Sequence, residues 1–517
     1  MPPPQFVPLR FEPGVWKNGT LYQAQGRWHD ATLVRWDTGA MAPIGGWRTW
    51  GESTTAVTGV PRTAISWKDN TFRRWLAAGS ASKLMGYNQE AGLTDITPTS
   101  PIAFTAGRTD ASPGQGYGNS TYGTSSYGTP RADMGDPEPA TIWTFGLWGE
   151  DLVGCTPEDG NIWQWSTAAA TPTSTKAARV ANSPQYAVAT AVTDERIHMV
   201  FGGVPSGGAE ADRDRRKIFW SDIGDNTDWT ATSTNHAGDH LLETAGDLLG
   251  AVKLENQLLI FTTVDVHTAT YIGLPYVYSF DRVGTNCGPV SVNAVAVVGN
   301  TAYWMGRSAQ GFFRYDGSVR PIPCDVQSFI VDAMTESQSS KVVAWSNTLH
   351  NEVWWFYPGG TTEIDAYVSY NYVEDHWSVG TLARTATVSR GTFERPILFD
   401  SSGNPYEHEV GGTYEDVDET VLVPYAESGP IELGDGNHIL SATSLIPDVT
   451  TLGDITTTFY TRMYPTDSDT TFGPYTMAAP TSVRFTGRTV RMRCTSNSSN
   501  NWNVGVPRLE VKSGGRR

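Results

Sequence analysis

The sequence predicts an all-β protein: a β-propeller of about seven irregular blades, with an N-terminal extended arm and a small C-terminal antiparallel β domain. Three observations predict it. Charged residues are only 18% of the 517, while Gly, Thr, Ser and Tyr abound and Trp reaches 19, a composition that favours strands and tight turns. An alternating apolar strand, a turn and a second aromatic strand recur between about residue 60 and about residue 412, at roughly the 40–60 residue spacing of propeller blades. Beyond about residue 430 the apolar–polar alternation becomes strict.

Residues 1–55 read as an arm. "FEPGVWKNGTLYQAQGRWHDATLVRWDTGAMAPIGGW" is crowded with Trp and Gly and holds only short extended pieces, so it is expected to pack on other elements. Residues 56–428 hold the repeats. The clearest is "LWGEDLVGCTPEDGNIWQW" (147–165). Leu152 and Val153 begin one strand, Asp159-Gly160 makes the turn, and Ile162, Trp163 and Trp165 lie on the next. Asp-Gly between apolar runs signals a hairpin because Gly tolerates positive φ. Comparable units lie at 75–98, 196–229, 249–273, 298–322, 351–380 and 395–411. None can bury its apolar faces alone, which predicts stacking into a ring. The period is irregular and no WD or kelch signature repeats, so a stack of β-sandwiches stands as the alternative. "DVQSFIVDAMTESQ" (325–338) is the best short helix candidate.

An insertion at about 103–140 separates the first two units. Within it "QGYGNSTYGTSSYGTPR" places Tyr117, Tyr122 and Tyr127 five residues apart, which fits neither a helix nor a strand. Loops this long are functional or disordered. Gly supplies turns and Tyr supplies large amphipathic contacts at low entropic cost. The expectation is a docking arm whose tyrosines contact a neighbouring subunit or partner; a disordered surface loop is the alternative.

Residues 429–517 read as the C-terminal β domain. In "SVRFTGRTVRMRCTS" Val490, Met492 and Cys494 share one face and Thr489, Arg491 and Arg493 the other. Arg484, Arg488, Arg491 and Arg493 form the one basic patch with aromatics nearby. It could face DNA phosphates, or pair with neighbouring carboxylates. The closing "KSGGRR" reads as a flexible tail.

The formal charge of −17 and pI near 5.0 count against a general nucleic-acid binder and suit a surface that must not stick to a polyanion. Cys155, Cys287, Cys324 and Cys494 are far apart without a C-x-x-C, so free thiols folded in a reducing cytoplasm are expected. "MPPPQFVPLRFEPG" lacks the basic and apolar regions of a secretory leader, and no apolar run reaches about 18 residues, so no membrane span is expected.

Chemistry-bearing patterns are weak. His236 and His240 in "HAGDH" have metal-pair spacing, but Gly238-Asp239 between them points to a loop. "SDIGDNTDW" (221–229) misses the register of a sialidase Asp-box and reads as Asx-type turns. Glu374, Asp375 and His376 are adjacent, so strand alternation sends their side chains to opposite faces. No phosphate loop with a Lys and no G-x-S-x-G elbow is present. No catalytic residue, cofactor or metal is expected.

Three segments carry a resemblance: "GRWHDATLVRWDTGAMAPIGGW" (26–47), "GYGNSTYGTSSYGTPRADMGDPEPATIWTFGLWGEDLVGCTPEDGNIWQW" (116–165) and "NEVWWFYPGG…YVSYNYVEDHWSVG" (351–380). With "KIFWSDIGDNTDWTAT" and the C-terminal "DGNHILSATSLIPDV…GPYT…RLEVKSGGRR", the chain resembles tail hub or nozzle proteins of short-tailed bacteriophages. The resemblance is one of texture over most of the chain. It implies a structural virion protein, not an enzyme: a hexameric ring of propeller-bearing subunits below the portal and the head-to-tail adaptor. Tail spikes, fibres or a needle attach nearby. Double-stranded DNA passes without sequence recognition. Assembly takes place in the host bacterial cytoplasm, and the tail of the virion is the final location.

Two alternatives come from other classes. A depolymerase-like propeller enzyme needs two or three carboxylates converging at the axis, with Asp225, Asp228 and Glu374 as candidates. A receptor-binding adhesin would use propeller loops.

Overall fold

A computed structural model describes residues 5–52, 55–112, 138–168, 175–307, 310–411, 423–432 and 438–513. Tyr117, Tyr122 and Tyr127 lie outside these residues. Seven four-stranded antiparallel sheets follow one another: blade 1 (61–95), blade 2 (144–179), blade 3 (189–241), blade 4 (248–284), blade 5 (295–322), blade 6 (343–381) and blade 7 (386–408 plus Trp47–Thr49). In each blade the first strand is innermost. Consecutive inner strands are neighbours, and that of blade 7, Ala386–Val388, lies beside that of blade 1, Pro61–Lys68, so the sheets close into a ring. The fold is a seven-bladed β-propeller.

Each repeated phrase in the sequence falls within one blade and contains that blade's second and third strands. In blade 2 the expected turn is present: Gly160 has φ +65°, and a Cβ there would lie 2.5 Å from the Tyr186 Cα. Asp159 beside it accepts a hydrogen bond from the Trp163 indole at 2.7 Å. The many tryptophans fill the wedges between blades. Trp67, Trp75, Trp143 and Trp165 pack together where blades 1 and 2 meet. Burying side chains of this size contributes about 2 kcal/mol or more each, provided the indole N–H finds an acceptor. Trp67 donates to the Glu150 carbonyl (2.9 Å), Trp143 to Ser80 (2.8 Å), Trp304 to Cys287 (2.7 Å) and Trp355 to Ala294 (2.9 Å). Most of these bonds fasten one blade to its neighbour or to the segment leading into it.

The ring is closed by the arm. Trp47–Thr49 forms the outermost strand of blade 7, in register Trp47↔His408 to Tyr406↔Thr49. The rest of the arm enters a β-sandwich. One of its sheets orders Gln5–Pro8, Arg508–Ser513, Leu440–Ile446 and Thr481–Gly487. The other orders Glu12–Val15, Arg27–Thr32, Tyr425–Ser428, Thr489–Ser496, Ile455–Arg462 and Thr470–Thr476, with Ile431–Glu432 also on Thr489–Ser496. The two ends of the chain therefore share one domain. Tyr425–Ser428 is a sandwich strand, so the blades end before the sequence boundary at 428.

The sandwich sits on the rim of the propeller. Glu12–Val15 and Arg27–Thr32 lie against His376–Thr381, the outer strand of blade 6, and one apolar core runs through both. Gly14 (φ +85°) permits the approach: a Cβ there would lie 2.8 Å from the His376 Cβ. The expected helix forms as Gln327–Ala333, followed by a 3-10 turn, Glu336–Lys341, in the segment leading into blade 6. All four cysteines are free and buried. Among the described residues no helix is long and apolar enough to cross a membrane.

Candidate functional site: an axial channel capped by the chain

The inner strands surround a channel along the propeller axis. One chamber, about 240 Å³, is lined by Thr63, Thr144, Thr190, Phe145, Val252 and Asn293 among others. It continues past Ala64, Ile65, Val295, Ala344 and Thr387 into a second chamber of about 410 Å³, bordered by Ser66, Ser346, Ser389 and Arg390. Among the described residues Arg390 is the one charged residue in the lining of these chambers, and carboxylates are absent from it. Short β-branched and hydroxyl side chains leave the bore open without filling it.

The two stems of the insertion cross the end of the channel where the inner strands begin. The Thr109 carbonyl accepts from Arg62 of blade 1 (3.0 Å). Ala111 exchanges both backbone hydrogen bonds with the Gln338 amide, which precedes blade 6 (3.0 and 2.9 Å). On the returning stem the Ala140 N–H donates to Ser340 (3.2 Å), and four residues later the chain is the inner strand of blade 2. Blades 6 and 2 stand on opposite sides of the ring, so the chain must pass over the axis. Ser112 and Glu138 pair as an antiparallel bridge where the stems leave this cap.

Buried charges hold the cap. Arg62, 1% exposed, forks onto Glu363 at 2.6 and 2.7 Å. The fully buried Lys341 ammonium lies 2.5 Å from Asp110, 2.5 Å from the Thr362 carbonyl and 3.7 Å from Glu363. Burial alone would raise the Glu363 carboxyl; the Arg62 hydrogen bonds and charge outweigh it and hold Glu363 below the usual range. A second ionic centre fastens the seam. Arg35 forks onto Glu352 (3.0 and 3.1 Å) and onto Glu409 (3.1 and 2.6 Å), joining the arm to blades 6 and 7. Burial would raise Glu409, but Arg35 and His350 hold it well below the carboxylate range.

The residues singled out in the sequence are dispersed. The four arginines do not form one patch. Arg484 is exposed on the four-stranded sheet, whereas Arg491 and Arg493 lie on the seven-stranded one. Arg491 is held by Glu427 and Asp469 and stacks over Tyr460; Arg493 lies 3.7 Å over the Tyr425 ring and 3.8 Å from Glu427. Arg488 lies over Tyr464. Arg491 and Arg493 thus pair with carboxylates of their own sheet and its loops. Asp225 and Asp228 close turns in blade 3 by accepting from Thr227 and Thr230, and Glu374 is across the ring on blade 6, bound to the Thr38 N–H. These three carboxylates do not converge. His236 bonds Asp222 (3.2 Å), while His240 stacks on Phe280. Among the described residues no cluster of three or more His, Cys, Asp and Glu could hold a metal ion.

Sequence reasoning missed the cap and the seam. Arg62 is 301 positions from Glu363 and Lys341 is 231 from Asp110, so no short motif announces these pairs.

No family model and no curated protein matches the chain. Solved structures do. The WD40 domain of Neurospora crassa Pan2 is similar at 10% identity and TM-score 0.36, covering 72% of this chain and 95% of that one. PorZ of Porphyromonas gingivalis is similar at 10% identity and TM-score 0.34, covering 77% of this chain and 44% of that one. An inactive virginiamycin B lyase from Staphylococcus aureus is similar at 11% identity and TM-score 0.30, covering 61% and 96%.

Proposed function

We propose that this chain is a structural tail protein of a short-tailed bacteriophage: a hub or nozzle subunit whose ring forms part of the DNA ejection channel and carries other tail proteins. The observation that supports it best is the cap. Two fully buried cations and a fork of ion pairs anchor the base of an insertion composed of Tyr, Gly, Ser and Thr. Such anchoring gives the insertion a fixed origin over the axis, as a docking arm requires. Tyr117, Tyr122 and Tyr127 are its contact residues, reaching a neighbouring subunit, the adaptor, or a spike, fibre or needle.

Charge supports the conduit. Residues 33–422 hold 44 acidic and 25 basic residues, while 1–32 and 423–517 hold 10 and 12. A propeller exterior of this sign, where it faces the lumen of the subunit ring, repels phosphates and lets DNA slide. Sedimentation and electron microscopy of the purified full chain test the reading. A closed ring, hexameric on this reading, is expected; a monomer both at high concentration and in recovered particles overturns it. Deleting 114–131 tests the arm: ring formation or tail attachment should fail, and retention of both rules the arm out.

A further inference from the structure

We propose that the propeller face opposite the cap is a protein-docking surface anchored by Phe72 and Tyr276, and that its partner presents two apolar pockets, the one for Tyr276 ringed by lysine or arginine. The inference does not rest on the tail reading.

Phe72 is held outward at a conformational cost. It is 82% exposed and has φ +64°, a backbone region that bulky residues rarely adopt. Asp69, its side chain 1% exposed, fixes that turn. One carboxylate oxygen accepts from the Thr71 N–H (2.8 Å), the Thr71 hydroxyl (2.7 Å) and the Arg73 N–H (2.9 Å); the other accepts from Arg73 Nε (2.7 Å) and the Trp75 indole (3.2 Å). Asn or Gly at position 72 would relieve the strain and remove an exposed ring. Stability alone therefore does not account for Phe72, and strain of this kind concentrates at functional positions.

Blade 4 repeats the device. Its third and fourth strands, Val266–Gly273 and Val277–Gly284, end in a tip where Ile272, Leu274 and Tyr276 are 54%, 49% and 77% exposed. The tip is held by Val277, a β-branched residue at φ +63° that is itself buried. Turns joining first to second and third to fourth strands all lie on the face away from the cap. Blades 1 and 4 are three apart in a ring of seven, so their tips stand on opposite sides of the channel mouth. One small molecule cannot reach both; the occupant is a macromolecule that spans the face.

Charge selects its chemistry. The turns beside Tyr276 carry Glu195 and Glu255, with Asp225 and Asp228 on the next blade; of the two cations among them, Lys253 is paired with Asp194 and Arg196 lies over the Trp148 ring, so the carboxylates are in excess. Near Phe72 the charges balance: Arg73 pairs with Asp69, Arg74 pairs with Glu52, and exposed Lys68 is matched by Glu150, which accepts from the Asn70 N–H. A nucleic acid, an anionic bilayer or the acidic propeller of a second copy would be repelled on the Tyr276 side. A protein surface with apolar pockets and a basic rim is complementary, and aromatic anchors in such pockets dominate binding.

The test uses the full chain and a fluorescein-labelled amphipathic peptide of leucine and lysine, with its leucine–glutamate counterpart as control. Fluorescence anisotropy should show binding of the first only. The Phe72→Asn/Tyr276→Ser variant should bind about tenfold more weakly or worse, with a melting temperature no lower than that of the parent. Equal binding by parent and variant overturns the proposal, because charge alone would then explain it. So does binding of phosphatidylcholine vesicles that depends on the same two residues, which makes the face a membrane contact. So does concentration-dependent self-association lost in the variant, which makes it a contact between copies.

Discussion

Arg35 concentrates the closure of the ring in one side chain. Its guanidinium serves two carboxylates, Glu352 and Glu409, and all three groups are nearly inaccessible to water. Asn347 and the Gly45 N–H complete the Glu409 shell at 2.7 and 3.1 Å. Truncating one partner of such a centre leaves uncompensated buried charge. Arg35→Ala should lose about 3–5 kcal/mol in denaturant unfolding. Arg35→Leu combined with Glu352→Gln and Glu409→Gln should lose less, because no charge is then stranded. Equal losses would place the cost in packing instead. The sequence could not reveal this centre, since Arg35 is 317 and 374 positions from its partners. A lone Arg in an arm reads as surface until the ring is closed.

At the scale of elements, local patterns were legible and long-range pairings were not. Hairpin turns declare themselves because a positive φ demands a short list of residues, as at Gly160. The second and third strands of the blades declare themselves because most are buried and carry an aromatic residue. Inner strands such as Ala386–Val388 are short and border a channel, so their composition is bland. The closing strand Trp47–Thr49 pairs with a segment more than three hundred residues away, which no periodicity can show. The cap is the same kind of feature. Its behaviour follows from its ions: Arg62→Ala strands Glu363, and Lys341→Ala opens a cavity beside Asp110. Each should cost about 3 kcal/mol and release the stems locally. Hydrogen exchange should then speed up at Gly107, Ala111 and Thr141, whose amides bond across the cap, while blade 4 amides stay protected. Uniform acceleration across all blades would mean that the cap is no separate unit.

At the scale of the whole molecule, both termini build one domain on the rim. Removing residues 1–32 takes three strands from the sandwich while leaving the closing strand of blade 7 in place. Calorimetry should then lose the sandwich contribution and keep a propeller transition; an unchanged profile would contradict the shared core. The response to acid is also a property of the whole. His198, His267, His376 and His408 sit in four different places, and burial lowers each below its ordinary value, His198 to about 3. His198 meets the Thr190 hydroxyl at 2.6 Å, and His408 accepts from Arg384 Nε at 2.9 Å, which a protonated ring could not do. In the unfolded chain these rings titrate near pH 6.5. Below that value the unfolded state binds protons that the native state refuses, so stability falls as pH falls. For His198 the loss is about 1.4 kcal/mol by pH 5.5 and grows by about 1.4 kcal/mol per further unit until its folded pKa is reached. The carboxylates held low, such as Glu363 and Glu409, add their own losses only below about pH 4.5. Melting temperature should therefore be nearly flat from pH 7 to 8 and decline from about pH 6.5, ahead of any carboxylate titration. His198→Asn should flatten the part of that decline due to this ring. A melting temperature constant from pH 7 down to pH 5 would mean that these histidines accept protons in the folded state.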